Sequence, residues 1–454
     1  MIRLICLLLG ASVLRRRWKL LAALGGVCLL FSVAIFIDIA NDGLLSVPLD
    51  TLAVLLVLDG CVEIGIAILV GHRVWLPGIG KGIALFLLAF LLWDVMWDNN
   101  IVASLLFGLA FLGDGLFRLA SALVLRGVGW RRGMALGALE CLLSALVFSN
   151  WPFHHHITVP LCFSLLLLLS GLHIVQMARQ VWRLPTNASV TTLPLFRHRS
   201  LRPWREVSYL HPDFPTTPPP APLEMVVWTP AGAYQLRERR PLIGRYIAAV
   251  DKNGAIATGH AALSMPPQLY ISHYPLDDFD RSSVDFRATL NASTANDVAG
   301  RFLSDFATEV AGWCAPDRRV SFRHYNAAAL RNYWQVYASD TTYNLTSRNC
   351  STTVIHALDV ALEGVLAGRR FAVFTLLANP SFWLLCVLRG RAEAMTWTPG
   401  LALDYAVLLE RVIGVDWRLA WYRRFRTAWR ERRRVIRQID AMIAEAEGRR
   451  GESR

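Results

Sequence analysis

The sequence predicts a membrane protein in two parts, a six-helix transmembrane bundle followed by a small α+β domain. Three observations carry this. Residues 20 to 178 are almost continuously apolar, broken only by short loops. The charges of those loops alternate along the chain, basic on one side and acidic on the other. From 195 to 350 the composition becomes that of a soluble domain, with Pro, Asp and Arg among alternating apolar residues. At 454 residues the chain also exceeds what one compact core usually holds.

Apolar runs near 20–39, 49–70, 79–97, 101–125, 133–149 and 157–178 each approach the ~20 residues that a helix needs to cross the hydrocarbon layer. Arg15, Arg16, Arg17 and Lys19, then His72, Arg73 and Lys81, then Arg126, Arg131 and Arg132, then Arg179, Arg183 and Arg197 fall on one side. Asp38, Asp42, Asp50, Asp94, Asp98 and the His154–His156 loop fall on the other. The positive-inside rule then makes both termini and the α+β domain cytoplasmic, at a bacterial inner membrane. Residues 1 to 14 have the apolar character of a signal segment, but no small-residue cleavage site follows, so an uncleaved start is expected. The net charge of +13 is concentrated in membrane-flanking loops and the last 45 residues, which points to a membrane surface and lipids rather than nucleic acid. Cys28, Cys61, Cys141, Cys162 and Cys386 lie inside apolar runs as small hydrophobes, and the eight cysteines imply no disulfide framework.

A repeat runs through the bundle. Leu58-Asp59-Gly60, Gly113-Asp114-Gly115 and Leu169-Ser170-Gly171 recur on every second span, 55 and 56 residues apart. That is the length of a two-helix unit, and three hairpins follow from it. Small residues at matching depth let helix backbones approach closely in lipid. On this architecture and glycine spacing, residues 18–180 resemble the HdeD family of bacterial acid-resistance membrane proteins. Glu63 and Arg118 each lie three residues after a repeat glycine. They read either as a buried pair with a proton-relay role or as a structural pair reaching toward the headgroups. His154, His155 and His156 are consecutive and cannot all face one metal ion, so an exposed loop is expected.

Nine prolines between Arg183 and Glu224 predict an extended, semi-rigid linker over 181–224. In the domain expected over 225–365, Arg245–Val250, Ile256–Met265 and Gln268–Tyr274 read as short strands separated by turn signals. Residues 294–313 place Val298, Phe302, Phe306 and Val310 at helical spacing, and 326–338 do the same with Leu330, Trp334 and Tyr337. A further helix opens just after Asn349-Cys350-Ser351.

Three residues in this domain carry chemistry together: His260 in Thr258-Gly259-His260-Ala261, His273 in Ser272-His273-Tyr274, and Cys350 at a helix start. A cysteine at a helix N-terminus gains thiolate character from the dipole and from unpaired N–H groups. A nearby imidazole strengthens this and can protonate a leaving group, while a second histidine on the adjoining strand can orient the first. The order His, His, Asn-Cys, with spacings of 13 and 77 residues, resembles the circularly permuted papain-like thiol hydrolases that include lecithin:retinol acyltransferase. The likeness covers residues 240–365. It implies a permuted papain-like domain in which His260 is the base, His273 orients it, and Cys350 forms a thioester with an acyl group. Ser351-Thr352 stand where the acyltransferase relatives have Glu-His, so the implied substrate is ester-, thioester- or amide-bearing without further choice. No cofactor and no metal site are expected.

Residues 371–388 form one more apolar run, flanked by Arg369, Arg370, Arg389 and Arg391 and broken at Asn379-Pro380-Ser381, which predicts a re-entrant or interfacial segment over 366–392. Over 393–454, Trp417, Trp421, Phe425 and Trp429 among many arginines predict a basic amphipathic tail, lying on the membrane or packed on the domain. Two functions stay open: a membrane-tethered cysteine hydrolase or acyltransferase, and a non-catalytic stress or acid-resistance protein with a papain-like binding module. The oligomeric state is not encoded in any feature of the sequence.

Overall fold

The computed structural model of the chain describes residues 1–40, 99–126, 130–149, 151, 154–193, 196, 209–229, 259–277, 290–369, 372–377 and 379–414, with two short strands and scattered positions between 57 and 90 besides. Close contacts group these into two units. One holds Met1–Leu30, Leu112–Leu142 and Leu168–Gly414, and the other holds Phe31–Phe111, Leu143–Leu167 and Val415–Arg454.

Helix α1 (Ile2–Arg16) is followed by α2 (Trp18–Ala40), α3 (Asn99–Leu125), α4 (Trp130–Ser149) and α5 (His155–Trp182). Among the described residues, four helices are long and apolar enough to cross a membrane: Trp18–Ala40, Ser104–Leu125, Trp130–Ser149 and Pro160–Trp182. Their outer faces are apolar, with Leu30 71% and Phe31 61% exposed, as lipid-facing surfaces require. The expected spans 49–70 and 79–97 fall largely outside the described residues, although positions 57–64 and 82–90 include helical ones. His155 and His156 open α5 rather than standing in a loop, whereas His154 is exposed.

Each repeat glycine faces a second glycine. A Cβ on Gly171 would lie 3.0 Å from the Gly25 carbonyl oxygen, one on Gly115 2.8 Å from that of Gly137, and one on Gly60 3.2 Å from that of Gly82. Seven residues along, Ser32 and Ser164 exchange hydroxyl-to-carbonyl hydrogen bonds of 2.9 Å, and Ser144 donates to the Gly108 carbonyl at 2.8 Å. Gly25, Gly82 and Gly137 therefore form a complementary repeat that the sequence reading did not pick out. The pairing is cyclic along the chain: the first long helix meets the last. Arg118 pairs with Asp114 at 2.6 Å and Glu140 at 3.1 Å, while Glu63 lies outside the described residues.

The domain is built on an antiparallel sheet in the order β6-β5-β4-β1-β7. Its strands are β1 (Leu223–Trp228), β4 (His260–Met265), β5 (Leu269–Pro275), β6 (Gly300–Phe302) and β7 (Arg318–Phe322), with β2 (Ala249–Val250) and β3 (Ile256–Ala257) paired separately. The strand expected over 256–265 is divided where Gly259 takes φ 73°, a conformation that favours glycine. The helix expected over 294–313 is only half present. Gly300–Phe302 joins the edge of β5, and α6 (Phe306–Gly312) starts later, at the Asp305 cap, which accepts from the Thr308 N–H at 2.8 Å. Gly300 is required there, because a Cβ would meet the Thr341 carbonyl oxygen at 2.2 Å and His273 Nε2 at 2.8 Å.

Helices α7 (Ala327–Tyr337) and α8 (Cys350–Leu362) cover one sheet face. All but one residue of α8 is buried, the polar Ser351, Thr352, Thr353 and Asp359 included. The core extends beyond the expected 225–365. From α1 it takes Leu4 and Leu8, and from α11 (Pro399–Gly414), part of the expected tail, it takes Ala402, Leu403, Tyr405, Ala406, Leu409 and Val412. Each leucine or valine so buried contributes about 1.5–3 kcal/mol before entropy is counted. Between them, α9 (Ala372–Leu377) and α10 (Pro380–Ala394) form the interrupted apolar segment, with Asn379 capping the Pro380 start. Arg389 of α10 is buried against both oxygens of Asp359 at 2.9 and 2.6 Å, and also bonds Tyr405 and Glu393. The remaining tail, 415–454, lies outside the described residues.

Candidate active site

Asn349 fixes the start of α8. Its side-chain oxygen accepts from the Thr352 N–H at 2.8 Å, and its amide donates to the carbonyls of Leu345 and Trp397 and to the Thr396 hydroxyl. The next residue, Cys350, is 6% exposed, its sulfur lies 3.8 Å from the Ser351 hydroxyl, and the backbone N–H of Ala261 is near enough to favour its thiolate. Cys350 thus sits beside the start of β4, one residue from His260 in the chain.

The two histidines do not lie side by side. Ala262 pairs with Ser272 and Leu263 with Ile271, a register that sets Tyr274 rather than His273 opposite His260. His260 therefore shares its sheet face with Trp228, Ser272 and Tyr274, and its ring stacks on Tyr274 with centroids 4.1 Å apart. Its Nε2 is 2.9 Å from Ser272 Oγ and 3.3 Å from Glu309 Oε1. Burial holds this imidazole well below its usual range, at about 3, and His273 adds to the effect. The contact to Glu309 is consequently between a neutral ring and the carboxyl group, not an ion pair. Glu309, on α6, also accepts from the hydroxyls of Tyr270 and Tyr274, the latter at 2.7 Å.

His273 faces the other way, toward α8. Its Nε2 lies 3.2 Å from the Thr341 carbonyl and can only donate there, which leaves Nδ1 to accept from the Thr353 hydroxyl at 3.1 Å. Thr353 in turn lies 3.1 Å from the Tyr337 hydroxyl. Burial holds His273 down to about 4. Both ring nitrogens are thus engaged, Nδ1 tying β5 to the helix that carries Cys350 and Nε2 tying it to the loop before that helix.

Burial also pushes the Cys350 thiol up from its ordinary range, outweighing the Ala261 N–H and the Ser351 groups that pull it down. The helix-start argument for a thiolate is opposed by desolvation in this arrangement. Among the described residues, Cys350 has no hydrogen bond to either histidine, and no group of three metal-ligating side chains occurs. The sequence reading missed Glu309, Tyr270, Ser272 and Tyr274. Three of these alternate on one strand, Tyr270-x-Ser272-x-Tyr274, which is a legible signal for one shared face. Glu309 carries no such signal, because its place depends on where α6 begins.

The fold and site define a class: a chain with membrane-type helices and an antiparallel α+β domain whose buried cysteine opens a helix beside histidine-bearing strands. No family model, no curated protein and no solved structure matches the chain. The likenesses to the HdeD and lecithin:retinol acyltransferase families rest on the residues quoted above alone.

Proposed function

We propose that the protein is a six-span, membrane-anchored thiol hydrolase or acyltransferase of the bacterial inner membrane, acting on acyl groups of lipids or membrane-bound substrates. The observation that carries this reading is the seat of Cys350, buried first residue of α8, directly after the Asn349 cap and close to the start of β4, where His260 lies. In this reading His260 takes the thiol proton as the sulfur attacks the ester, thioester or amide carbonyl. The S–C bond forms, the bond to the leaving group breaks, and the leaving group takes the proton back from His260. Water or another acceptor then releases the acyl group from Cys350. In this reading the orienting role expected of His273 passes to Glu309, which contacts His260 Nε2 at 3.3 Å, while His273 holds α8 through Thr353. Proton transfer requires the His260 ring, which lies on the sheet face opposite α8, to give up Ser272 and turn around the start of β4 to reach the sulfur. The six-span arrangement is supported by the Gly60–Gly82 contact, which supplies the third glycine pair, and the cytoplasmic side by the basic loops.

The test uses full-length protein in lipid nanodiscs containing a phospholipid with an alkyne-tagged acyl chain. The expected result is a hydroxylamine-sensitive acyl adduct on Cys350 by mass spectrometry, absent in Cys350→Ser and formed at least ~100-fold more slowly in His260→Ala. The neutral imidazoles and the raised thiol favour a second reading, a non-catalytic stress-response protein with a papain-like binding module. No adduct, with Cys350 alkylation that rises only near or above an ordinary thiol pKa of ~8.5 and is unchanged in His260→Ala, would establish that alternative.

A further inference from the structure

Helix α1 is broken at Gly10, where φ is 76°, and a Cβ at that position would lie 2.7 Å from the Gly364 Cα. Beside the break is a cavity of about 300 Å³, lined by Ser12, Arg15 and Arg16, by the turn at Thr186 and Asn187, and by His211 and Asp213 of the following segment. This is the low end of ligand-site volumes, ~300–1,000 Å³, and suits a headgroup rather than a whole lipid.

Two arginines and two carboxyl groups border the cavity, and they are engaged differently. Glu363 also lines it, but its carboxylate is saturated: it accepts from the Ser189 hydroxyl, the Val190 N–H at 2.9 Å and the Ala11 N–H at 3.2 Å, with His211 Nε2 at 3.5 Å. Asp213 is exposed at the rim. Arg15 donates to the Thr186 hydroxyl at 2.9 Å, and among the described residues neither Arg15 nor Arg16 meets a carboxylate. Two guanidinium groups, a serine hydroxyl and an asparagine amide thus border one small space.

Its place along the apolar helices identifies what is available to fill it. Arg15 and Arg16 end α1, two to three residues before α2, and Thr186 follows the end of α5 by four residues. The rings of Trp18 and Trp182, at the corresponding ends of these helices, lie 5.6 Å apart. Tryptophans at the ends of apolar helices, backed by arginines, mark the headgroup level of a bilayer. Guanidinium groups at that level bind phosphate through charge-assisted hydrogen bonds.

We infer that this cavity binds the phosphate group of an anionic phospholipid headgroup through Arg15 and Arg16. The site is separate from Cys350, and its occupancy does not depend on any chemistry there.

The experiment measures retention of phosphatidylglycerol against phosphatidylcholine by the full-length protein, using native mass spectrometry after mixed-lipid nanodiscs. Wild type, Arg16→Gln, Arg15→Gln/Arg16→Gln and the cavity-filling Ser12→Phe are compared, with thermal unfolding of each in detergent. Arg16 is exposed, so Arg16→Gln keeps the comparison informative if the double variant fails to fold. Expected is a preference for phosphatidylglycerol that falls about tenfold in Arg16→Gln, the effect of losing one charge-assisted hydrogen bond, and falls also in Ser12→Phe. Equal retention by wild type and Arg16→Gln overturns the inference. A second arm adds millimolar inorganic phosphate without lipid: stabilisation of wild type but not Arg16→Gln, with no lipid preference, overturns the lipid source and leaves a site for soluble phosphate.

Discussion

In the helical bundle the close contacts are made by glycines and serines, whereas the sheet domain buries Glu309, Asp359, Glu363 and Arg389 and gives each several polar partners. The difference follows from what surrounds each part. Leu30, Leu142 and Leu169 are more than half exposed, and in lipid such residues gain nothing from being covered, so association depends on backbones coming close. The sheet domain gathers apolar residues from four stretches of chain into one core, and burial of that area offsets the cost of enclosing charges. The bundle is held by close approach together with one ion-pair cluster, Arg118 with Asp114 and Glu140, and the domain by buried area plus enclosed charges.

The largest expected effect that tests this contrast is in the domain. Asp359→Ala leaves Arg389 buried without its bidentate partner and costs ~3–5 kcal/mol, read as loss of the folded fraction in thermal unfolding. Replacing the pair together, Asp359→Leu with Arg389→Met, recovers most of it, and no recovery would show that the charges do more than occupy space. In the bundle, Gly171→Leu must push α5 from α2 at the Gly25 contact, a cost of ~1–3 kcal/mol, with Gly171→Ala milder. An unchanged unfolding temperature for Gly171→Leu would remove the argument from close approach. The third effect is electrostatic and vanishes at neutral pH. His260 is held at about 3 and His273 at about 4, so both stay neutral in the fold while the unfolded chain takes up protons below ~6.5. Their contribution to stability is complete above that value and is lost as pH falls through 6.5 toward 3. His260→Gln should flatten this acid dependence by at most about 1.4 kcal/mol per pH unit. A slope unaltered between pH 6.5 and 4 would mean that the imidazole is open to solvent.

Much of this was readable from residues. The apolar runs placed α2 to α5, the spacing of Leu330, Trp334 and Tyr337 placed α7, and Asn349 placed the start of α8. What depends on partners was not readable. Val298, Phe302, Phe306 and Val310 have helical spacing, yet the edge of β5 draws Gly300–Phe302 into the sheet. The thirteen residues from His260 to His273 do not fix their faces, since one step of register decides whether they share one. Residues 399–414 sit within a basic tail by composition, but the apolar side from Ala402 to Val412 belongs to the core. Gly60, Gly115 and Gly171 were found by their period, and their partners only by contact.

Helix α1 also sets an order of events in time. Leu4 and Leu8 lie in the same core as α8 and α11, and Arg3 meets Glu393, 390 residues away, at 2.7 Å. As the chain leaves the ribosome, its first turn of helix waits through the insertion of every membrane span before the surface it belongs to exists. Contacts of such separation are slow to form and leave apolar edges uncovered meanwhile. The core of the domain can therefore close only after the segment carrying α11 has been made.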